Sequence, residues 1–203
     1  DGVTVHPRED RRHIQDRDVR LLKEILQVPL TLEMALTTAM VDFARTVQPF
    51  ACTLVPEARE ERTTESGMRV AGREKELEPG IRRLLDAGIR VSIFIDAVEK
   101  EIAAARSLGA QFIEIHTGPY ALATTPEAQE RELRIVARAA QFAHEQGLGV
   151  NAGHGLHYRN THPIAALPPV EWVHTGHSIV SYALLVGMER AVREMREILR
   201  RSR

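Results

Sequence analysis

The sequence predicts an α/β fold built on a parallel sheet, and two observations support that prediction. Short apolar runs alternate with helical segments along the 203 residues, which is typical of parallel strands joined by right-handed helical crossovers. Several apolar runs end in an ionisable residue, and reactive side chains at the carboxyl ends of strands are typical of a barrel or a doubly wound sheet. Seven strands are predicted, one fewer than a closed eight-stranded barrel contains.

Each predicted strand is a short apolar run bounded by charged or turn-forming residues. The run that begins at Phe112 places Glu114 and His116 on one face and two isoleucines on the other, because side chains alternate along a strand. The other predicted strands are residues 2–6, 30–34, 51–55, 90–96, 148–152 and 172–175.

The predicted helices carry apolar residues at helical spacing. Asp18 is the predicted N-cap of the first helix, which runs through Leu26, and Thr125 followed by proline predicts the start of the longest helix. Residues 58–73 are polar and aperiodic, which predicts a long loop of the kind that closes over sites. The longest helix covers residues 126–145, and the other predicted helices are residues 37–47, a segment around 81–85 that ends at Gly88, 99–108, a single turn at 163–167 and a closing helix at 182–200.

Composition excludes several classes of protein. The net charge of -1 provides no chain-wide basic field for nucleic acid or anionic membrane. Cys52 is the only cysteine, so an internal disulfide and a cysteine-rich zinc site are excluded, and its apolar surroundings predict a buried thiol. No apolar run approaches the about 18 residues that a membrane span needs. We therefore expect a cytoplasmic protein that binds neither nucleic acid nor membrane.

Two glycine-histidine motifs follow the last two predicted strands. They are Gly153-His154-Gly155 and Gly176-His177, and exposed N–H groups at a strand-to-helix turn are suited to binding an anion. Either motif alone is more simply a turn. Their occurrence in consecutive loops favours phosphate, which commonly binds after the last two strands of a barrel.

A cationic segment follows the first predicted strand. It contains Arg8, Arg11, Arg12 and His13, and guanidinium groups match the oxygens of phosphate, so a second anion pocket is one interpretation. The other is a solvated run of mixed charge, since two acidic residues are interleaved. Both interpretations stay open, and the second is slightly favoured.

Four residues at strand ends are candidates for proton transfer: His6, Glu33, Glu114 and His154. We expect them to converge on one rim of the sheet, beside a phosphate site. A zinc or iron site made by Glu33 with His6, His116, His154 and His177 is the rival interpretation. It is weaker because neither a His-x-His nor a His-Glu-x-x-His spacing is present. The sequence also has no Gly-x-Ser-x-Gly, Gly-x-Gly-x-x-Gly or Walker motif.

Seven motifs lie between Gly2 and about Leu199: Thr-Val-His-Pro-Arg-Glu-Asp-Arg-Arg-His-Ile (4–14), Leu-Glu-Met (32–34), Leu-Val-Pro-Glu (54–57), Thr-Thr-Glu-Ser-Gly (63–67), Phe-Ile-Glu-Ile-His-Thr-Gly (112–118), Val-Asn-Ala-Gly-His-Gly-Leu (150–156) and Gly-His-Ser-Ile (176–179). Together these motifs resemble the pyridoxine 5'-phosphate synthase family. Pro7 stands where the family is expected to have leucine, and we expect it to be tolerated because its neighbours carry the contacts.

The resemblance implies an α/β fold of the TIM-type (β/α) barrel with extra helices, of which seven of eight strands are present in this chain. It also implies a single domain over residues 1–203, a homooctamer, and no metal or organic cofactor. The family's first strand and helix, with an Asn-x-Asp-His motif and a substrate-binding arginine, have no counterpart here. We therefore expect this chain alone to be inactive or prone to aggregation, because such a barrel would have two exposed edges.

The implied reaction joins two phosphorylated substrates, 1-deoxy-D-xylulose 5-phosphate and 3-amino-2-oxopropyl phosphate. Schiff-base formation and acid/base catalysed ring closure would give pyridoxine 5'-phosphate, phosphate and water. Motif by motif, the resemblance implies general bases at His6 and Glu33, a proton donor at His154 and an additional acid or base at Glu114. The implied binding residues are Gly155, Gly176 and His177 for the deoxyxylulose phosphate, Arg8 and His13 for the aminoketone phosphate, and Thr63 in the closing loop.

Two other functions remain open at this point. One is a different phosphosugar isomerase or aldolase, although an imine-forming aldolase needs a strand lysine. Lys23, Lys75 and Lys100 lie on helical or loop stretches, which disfavours that route. The other is a catalytically inactive scaffold that keeps only surfaces for assembly.

Overall fold

A computed structural model describes residues 1–56 and 66–202 of the protein. The described residues contain seven strands, and their order in the sheet follows their order in the sequence. The chain divides into two compact units, Asp1–Glu114 and Ile115–Arg203, with the boundary inside the fifth strand. Strands alternate with helices in both units, as the sequence predicts.

In the first unit, each adjacent strand pair with a defined register is parallel. Leu32 lies opposite Val5 on one side and Cys52 on the other, and the next pair matches Cys52 with Val91. All four residues of the third strand are buried, which is typical of parallel strands covered on both faces. The elements are β1 (Val3–Val5), α1 (Asp16–Ile25), β2 (Leu30–Met34), α2 (Thr38–Val47), β3 (Ala51–Leu54), α3 (Glu74–Asp86), β4 (Arg90–Ile95), α4 (Glu99–Ser107) and the start of β5 (Phe112–His116).

In the second unit, β6 and β7 are parallel neighbours with one irregularity. Val150 lies opposite Val170 and Asn151 lies opposite Trp172, so the register shifts between these two pairs. The elements that follow β5 are α5 (Gly118–Leu122), α6 (Pro126–Glu145), β6 (Gly149–Gly153), α7 (Thr161–Ala165), β7 (Val170–His174), α8 (His177–Val186) and α9 (Met188–Arg201).

The helix starts confirm one cap prediction and correct another. Thr125 caps α6 by accepting a hydrogen bond from the N–H of Ala128 at 3.2 Å, as predicted. Asp18 is not the cap of α1, because that helix begins at Asp16 and Gln15 is the N-cap. The Asp18 carboxylate lies in the first turn and accepts a hydrogen bond from the N–H of Gln15 at 2.9 Å. The prediction was wrong because it considered the acid alone and not its reciprocal partner.

The predicted single closing helix is also corrected. The structure has two helices there, α8 and α9, which meet at Gly187. The φ angle of Gly187 is 85°, a conformation that glycine adopts without the steric cost of a side chain, so the helix axis can change direction at this point. The short helix α5 was not predicted.

Two predictions from composition can be compared with the structure. Cys52 is fully buried, as predicted, and burial raises the pKa of its thiol to about 12. Within residues 1–56 and 66–202, no helix combines the length and the apolarity required to span a membrane.

Candidate active site

In the first unit, the ends of β1 and β2 bring an imidazole to a carboxylate. Val5 pairs with Leu32, so the following residues, His6 and Glu33, lie opposite one another. The distance from His6 Nδ1 to Glu33 Oε2 is 3.6 Å, and the two side chains keep 21% and 19% of their surfaces exposed. The pair can therefore take up or release a proton while remaining reachable by a small molecule.

The same register continues as a row of polar side chains. Glu33 lies opposite Thr53, and Thr53 lies opposite Ser92 on the next strand. Thr53 and Ser92 are 0% and 2% exposed, and neither hydroxyl has a hydrogen-bond partner in the part of the chain that the structure describes. Neither residue is among the predicted site residues, although a hydroxyl inside an apolar run is a signal that the sequence contains.

Glu114 lies in the interior of β5 rather than at its end. Its exposure is 0%, and the flanking Ile113 and Ile115 are equally buried. A carboxylate is almost never fully buried unless it is paired or has a function, so Glu114 is an unusual residue for the interior of a strand.

The cationic segment after β1 is largely occupied by its own ion pairs. The Arg11 guanidinium pairs with Asp16, donates to the carbonyl oxygen of Arg8 at 2.8 Å and lies 5.3 Å from the centroid of the Phe43 ring. Arg12 pairs with Asp10 through Nε at 2.6 Å. Arg11 and Arg12 therefore each already pair with a nearby carboxylate.

In the second unit, His154 and Gly155 follow β6 in left-handed conformations. Their φ angles are 79° and 72°. A β-carbon on Gly155 would lie 2.5 Å from the Cβ of Ala121, so the available space excludes a side chain there and the backbone angle also favours glycine. The turn after β6 is thus held tightly against α5.

The two glycine-histidine loops lie next to each other, as their sequence positions suggest. The hydroxyls of Thr175 and Ser178 both donate to the carbonyl oxygen of Leu156 at 3.0 Å. Gly176 is the N-cap of α8 and His177 is its first residue, and both are exposed. A helix N-terminus beside a glycine turn presents N–H groups and a positive dipole, an arrangement that suits a phosphate group.

The end of β5 supports this region from within the same unit. The Thr117 hydroxyl contacts the carbonyl oxygens of Gly153 and His154 at 2.6 and 2.7 Å. The rings of His116 and His154 meet edge to face, with centroids 5.5 Å apart. Thr117 is not among the predicted site residues, because its partners are distant in the sequence.

Two further expectations concern the loop and a metal. Thr63 lies outside the described residues, so its expected role remains a prediction. Among the residues that the structure describes, no three histidine, cysteine or acidic side chains are grouped so that they could hold a metal ion.

Residues 1–201 match the family described as "Pyridoxal phosphate biosynthesis protein PdxJ". A "Pyridoxine 5'-phosphate synthase" of Idiomarina loihiensis is 52% identical over 203 residues, which cover 100% of this chain and 84% of the relative. A protein of the same name from Cyanothece sp. is 55% identical over 199 residues, covering 98% of this chain and 83% of the relative.

A solved structure described as "Native KDPGal structure" is similar in fold. The TM-score is 0.66 over 98% of this chain and 84% of that chain, at 12% sequence identity. An identity this low shows the fold alone. The likeness confirms the predicted α/β fold of TIM-barrel type, with seven strands among the described residues.

Proposed function

Because the chain belongs to the PdxJ family of pyridoxal phosphate biosynthesis proteins, an enzyme family of vitamin B6 biosynthesis, we propose that it closes the pyridoxine ring. Its substrates would be 1-deoxy-D-xylulose 5-phosphate and 3-amino-2-oxopropyl phosphate. The products would be pyridoxine 5'-phosphate, phosphate and water. The observation that carries this proposal is the 52% identity to a pyridoxine 5'-phosphate synthase over all 203 residues.

The proposed reaction is a series of proton transfers and eliminations. The amine of one substrate attacks the ketone of the other, and loss of water gives an imine. Phosphate then leaves, and an aldol-type attack followed by a second loss of water closes the aromatic ring. Each step needs a proton removed from carbon or nitrogen, or delivered to a departing oxygen. A positioned acid or base contributes about 100 to 10,000-fold to such a step.

The contact between His6 and Glu33 supports a role for this pair as general bases. The Glu33 carboxylate lies 3.6 Å from the His6 imidazole, so a proton that either group removes from the substrate is held beside a second basic group. His154 would donate a proton to a leaving oxygen, and the buried Glu114 would serve as an additional acid or base. This set supplies both directions of proton transfer with the chain's own residues, so the proposed chemistry requires no metal or organic cofactor.

Two kinds of anion site are proposed for the two phosphate groups. Gly155, Gly176 and His177 would bind the phosphate of the deoxyxylulose substrate, and the hydrogen bonds that join their loops support this assignment. Arg8 and His13 would contact the phosphate of the aminoketone. Thr63 would belong to a loop that excludes water from the imine. From the family resemblance we also propose a cytoplasmic homooctamer.

Incubation of the full-length protein with both substrates tests this function. We expect pyridoxine 5'-phosphate and inorganic phosphate to appear in equal amounts, measured by mass spectrometry and a phosphate assay. Phosphate release without pyridoxine 5'-phosphate would indicate a different phosphosugar reaction.

Titration with 1-deoxy-D-xylulose 5-phosphate alone, followed through the histidine NMR signals, tests the scaffold alternative. An enzyme with an intact phosphate site should show saturable shifts of histidine signals. A scaffold without a site should show none, and this result would contradict the proposal.

A further inference from the structure

The backbone at His154 has a conformation that an L-residue rarely adopts. Its φ angle is 79°. Residues other than glycine rarely have such an angle, and those that do lie mainly at turns and functional sites. Such a conformation persists only when surrounding contacts hold it. The contacts that hold His154 therefore determine where its imidazole points.

Thr117 makes contacts on both sides of the His154 α-carbon. Its hydroxyl lies 2.6 Å from the carbonyl oxygen of Gly153 and 2.7 Å from that of His154, the carbonyls of the two peptide groups that flank this α-carbon. The N–H of Thr117 also donates to the carbonyl oxygen of Gly153, at 2.8 Å. Thr117 is fully buried, so water cannot replace these contacts without a change in packing.

The His154 side chain has its own neighbour at the end of β5. The ring of His116 meets the ring of His154 at an interplanar angle of 89° and is only 8% exposed. Gly118 leaves space for His116, because a β-carbon at Gly118 would lie 2.2 Å from His116 Nε2. The segment from His116 to Gly118 thus contacts both the backbone and the ring of His154.

We propose that Thr117 and His116 are positioning residues for His154: Thr117 fixes its backbone and His116 fixes its ring. This inference rests on the proposed function, in which His154 donates a proton to a leaving oxygen. Neither positioning residue needs to touch the substrate. Proton transfer depends steeply on geometry, and a displacement of about 1 Å can reduce a rate about 100-fold, so loss of either contact should affect turnover more than binding.

Two substitutions of Thr117 distinguish the effect of losing its hydroxyl from the effect of changing its shape. Thr117→Val keeps the branched shape and removes the hydroxyl, whereas Thr117→Ser keeps the hydroxyl and removes a methyl group. We expect kcat of Thr117→Val to fall about 10- to 100-fold, with KM nearly unchanged. The NMR titration of the His154 imidazole should move to a different midpoint in the same variant. Thr117→Ser should retain both wild-type properties.

Gly118→Ala tests the ring contact without removing a hydrogen-bonding group. The new methyl group must displace the His116 ring, so we expect a reduced kcat and a changed His154 signal while the Thr117 contacts remain. This variant also covers the case in which Thr117→Val fails to fold. Wild-type kcat and an unchanged His154 titration in Thr117→Val, or in Gly118→Ala if the valine variant does not fold, would overturn the proposal.

The NMR measurement keeps this proposal separate from the proposed function. If the wild-type protein makes no pyridoxine 5'-phosphate, the proposed function fails, but the His154 titration still reports on its position. A titration that changes in Thr117→Val and is unchanged in Thr117→Ser would then support the positioning role alone. Equal changes in both variants would contradict it.

Discussion

The two units hold their candidate proton-transfer residues in different ways. In the first unit, His6 directly follows β1, the register of β1 and β2 brings it level with Glu33, and the two side chains contact each other directly. In the second unit, His154 follows β6 at a φ of 79°, and contacts from Thr117, the residue after β5, hold its backbone. Register follows from the regular sheet, whereas the turn depends on particular neighbours. A single substitution should therefore act on chemistry in the first case and on geometry in the second.

Replacement of Glu33 by glutamine should have the largest effect. Glutamine preserves the shape of the side chain and cannot accept the proton, so we expect turnover to fall about 100 to 10,000-fold. Affinity for 1-deoxy-D-xylulose 5-phosphate, measured by calorimetry, should change little because the sheet register persists. Glu78→Gln, at an exposed position on α3, is the matched control and should behave as wild type. A fully active Glu33→Gln variant would remove Glu33 from the mechanism.

A pair of glycine substitutions tests the turn in the second unit. Gly147 and Gly155 have similar φ angles of 75° and 72°, but nothing lies within 4 Å of a β-carbon at Gly147, whereas Ala121 Cβ lies 2.5 Å from one at Gly155. We expect Gly147→Ala to lower the free energy of unfolding by about 1–2 kcal/mol, the cost of a left-handed L-residue.

Gly155→Ala has the same backbone cost and an added steric clash, so the loss should be about 2–4 kcal/mol. Urea denaturation of both variants measures the difference, and titration with inorganic phosphate shows whether the anion site is also affected. Equal losses in the two variants would mean that the turn can move away from Ala121. The turn would then be less constrained than the contacts of Thr117 indicate.

The regular part of the fold could be predicted because local pattern determines it. Leu30–Met34 has the predicted bounds, and the contact of His6 with Glu33 follows once β1 and β2 are parallel. The N-cap at Thr125 and the following Pro126 could also be predicted, since both act within the first turn of the helix.

Other features depend on contacts that local pattern does not contain. The Thr117 hydroxyl reaches a carbonyl 36 positions away, and the ion pair of Arg11 with Asp16 is one of several charge arrangements that the cationic segment allowed. Leu184 and Leu185 are apolar and yet 85% and 83% exposed in this chain, so apolar spacing did not reveal which face of the closing segment is covered. Long-range partners, rather than propensity, determine these details.

The smallest effect is expected in the row of polar side chains of the first unit, Glu33, Thr53 and Ser92. Thr53 has a buried hydroxyl without a partner among the described residues, and leaving such a group unpaired costs about 1–3 kcal/mol. Thr53→Val replaces the hydroxyl with a methyl group of similar size, so we expect the free energy of unfolding to rise by about 1 kcal/mol. Urea denaturation monitored by circular dichroism measures this change.

Thr46→Val is the matched control, because the Thr46 hydroxyl is exposed and donates to the carbonyl oxygen of Asp42 at 3.0 Å. It should show no gain in stability. If Thr53→Val is more stable but turns over more slowly, the row beside Glu33 keeps an unpaired hydroxyl for function at the expense of stability. A less stable Thr53→Val variant would instead mean that the hydroxyl is satisfied in solution, most simply by a buried water. The register of β1 and β2 would then account for the position of Glu33, whereas the buried hydroxyl of Thr53 would be explained by its hydrogen bond to water.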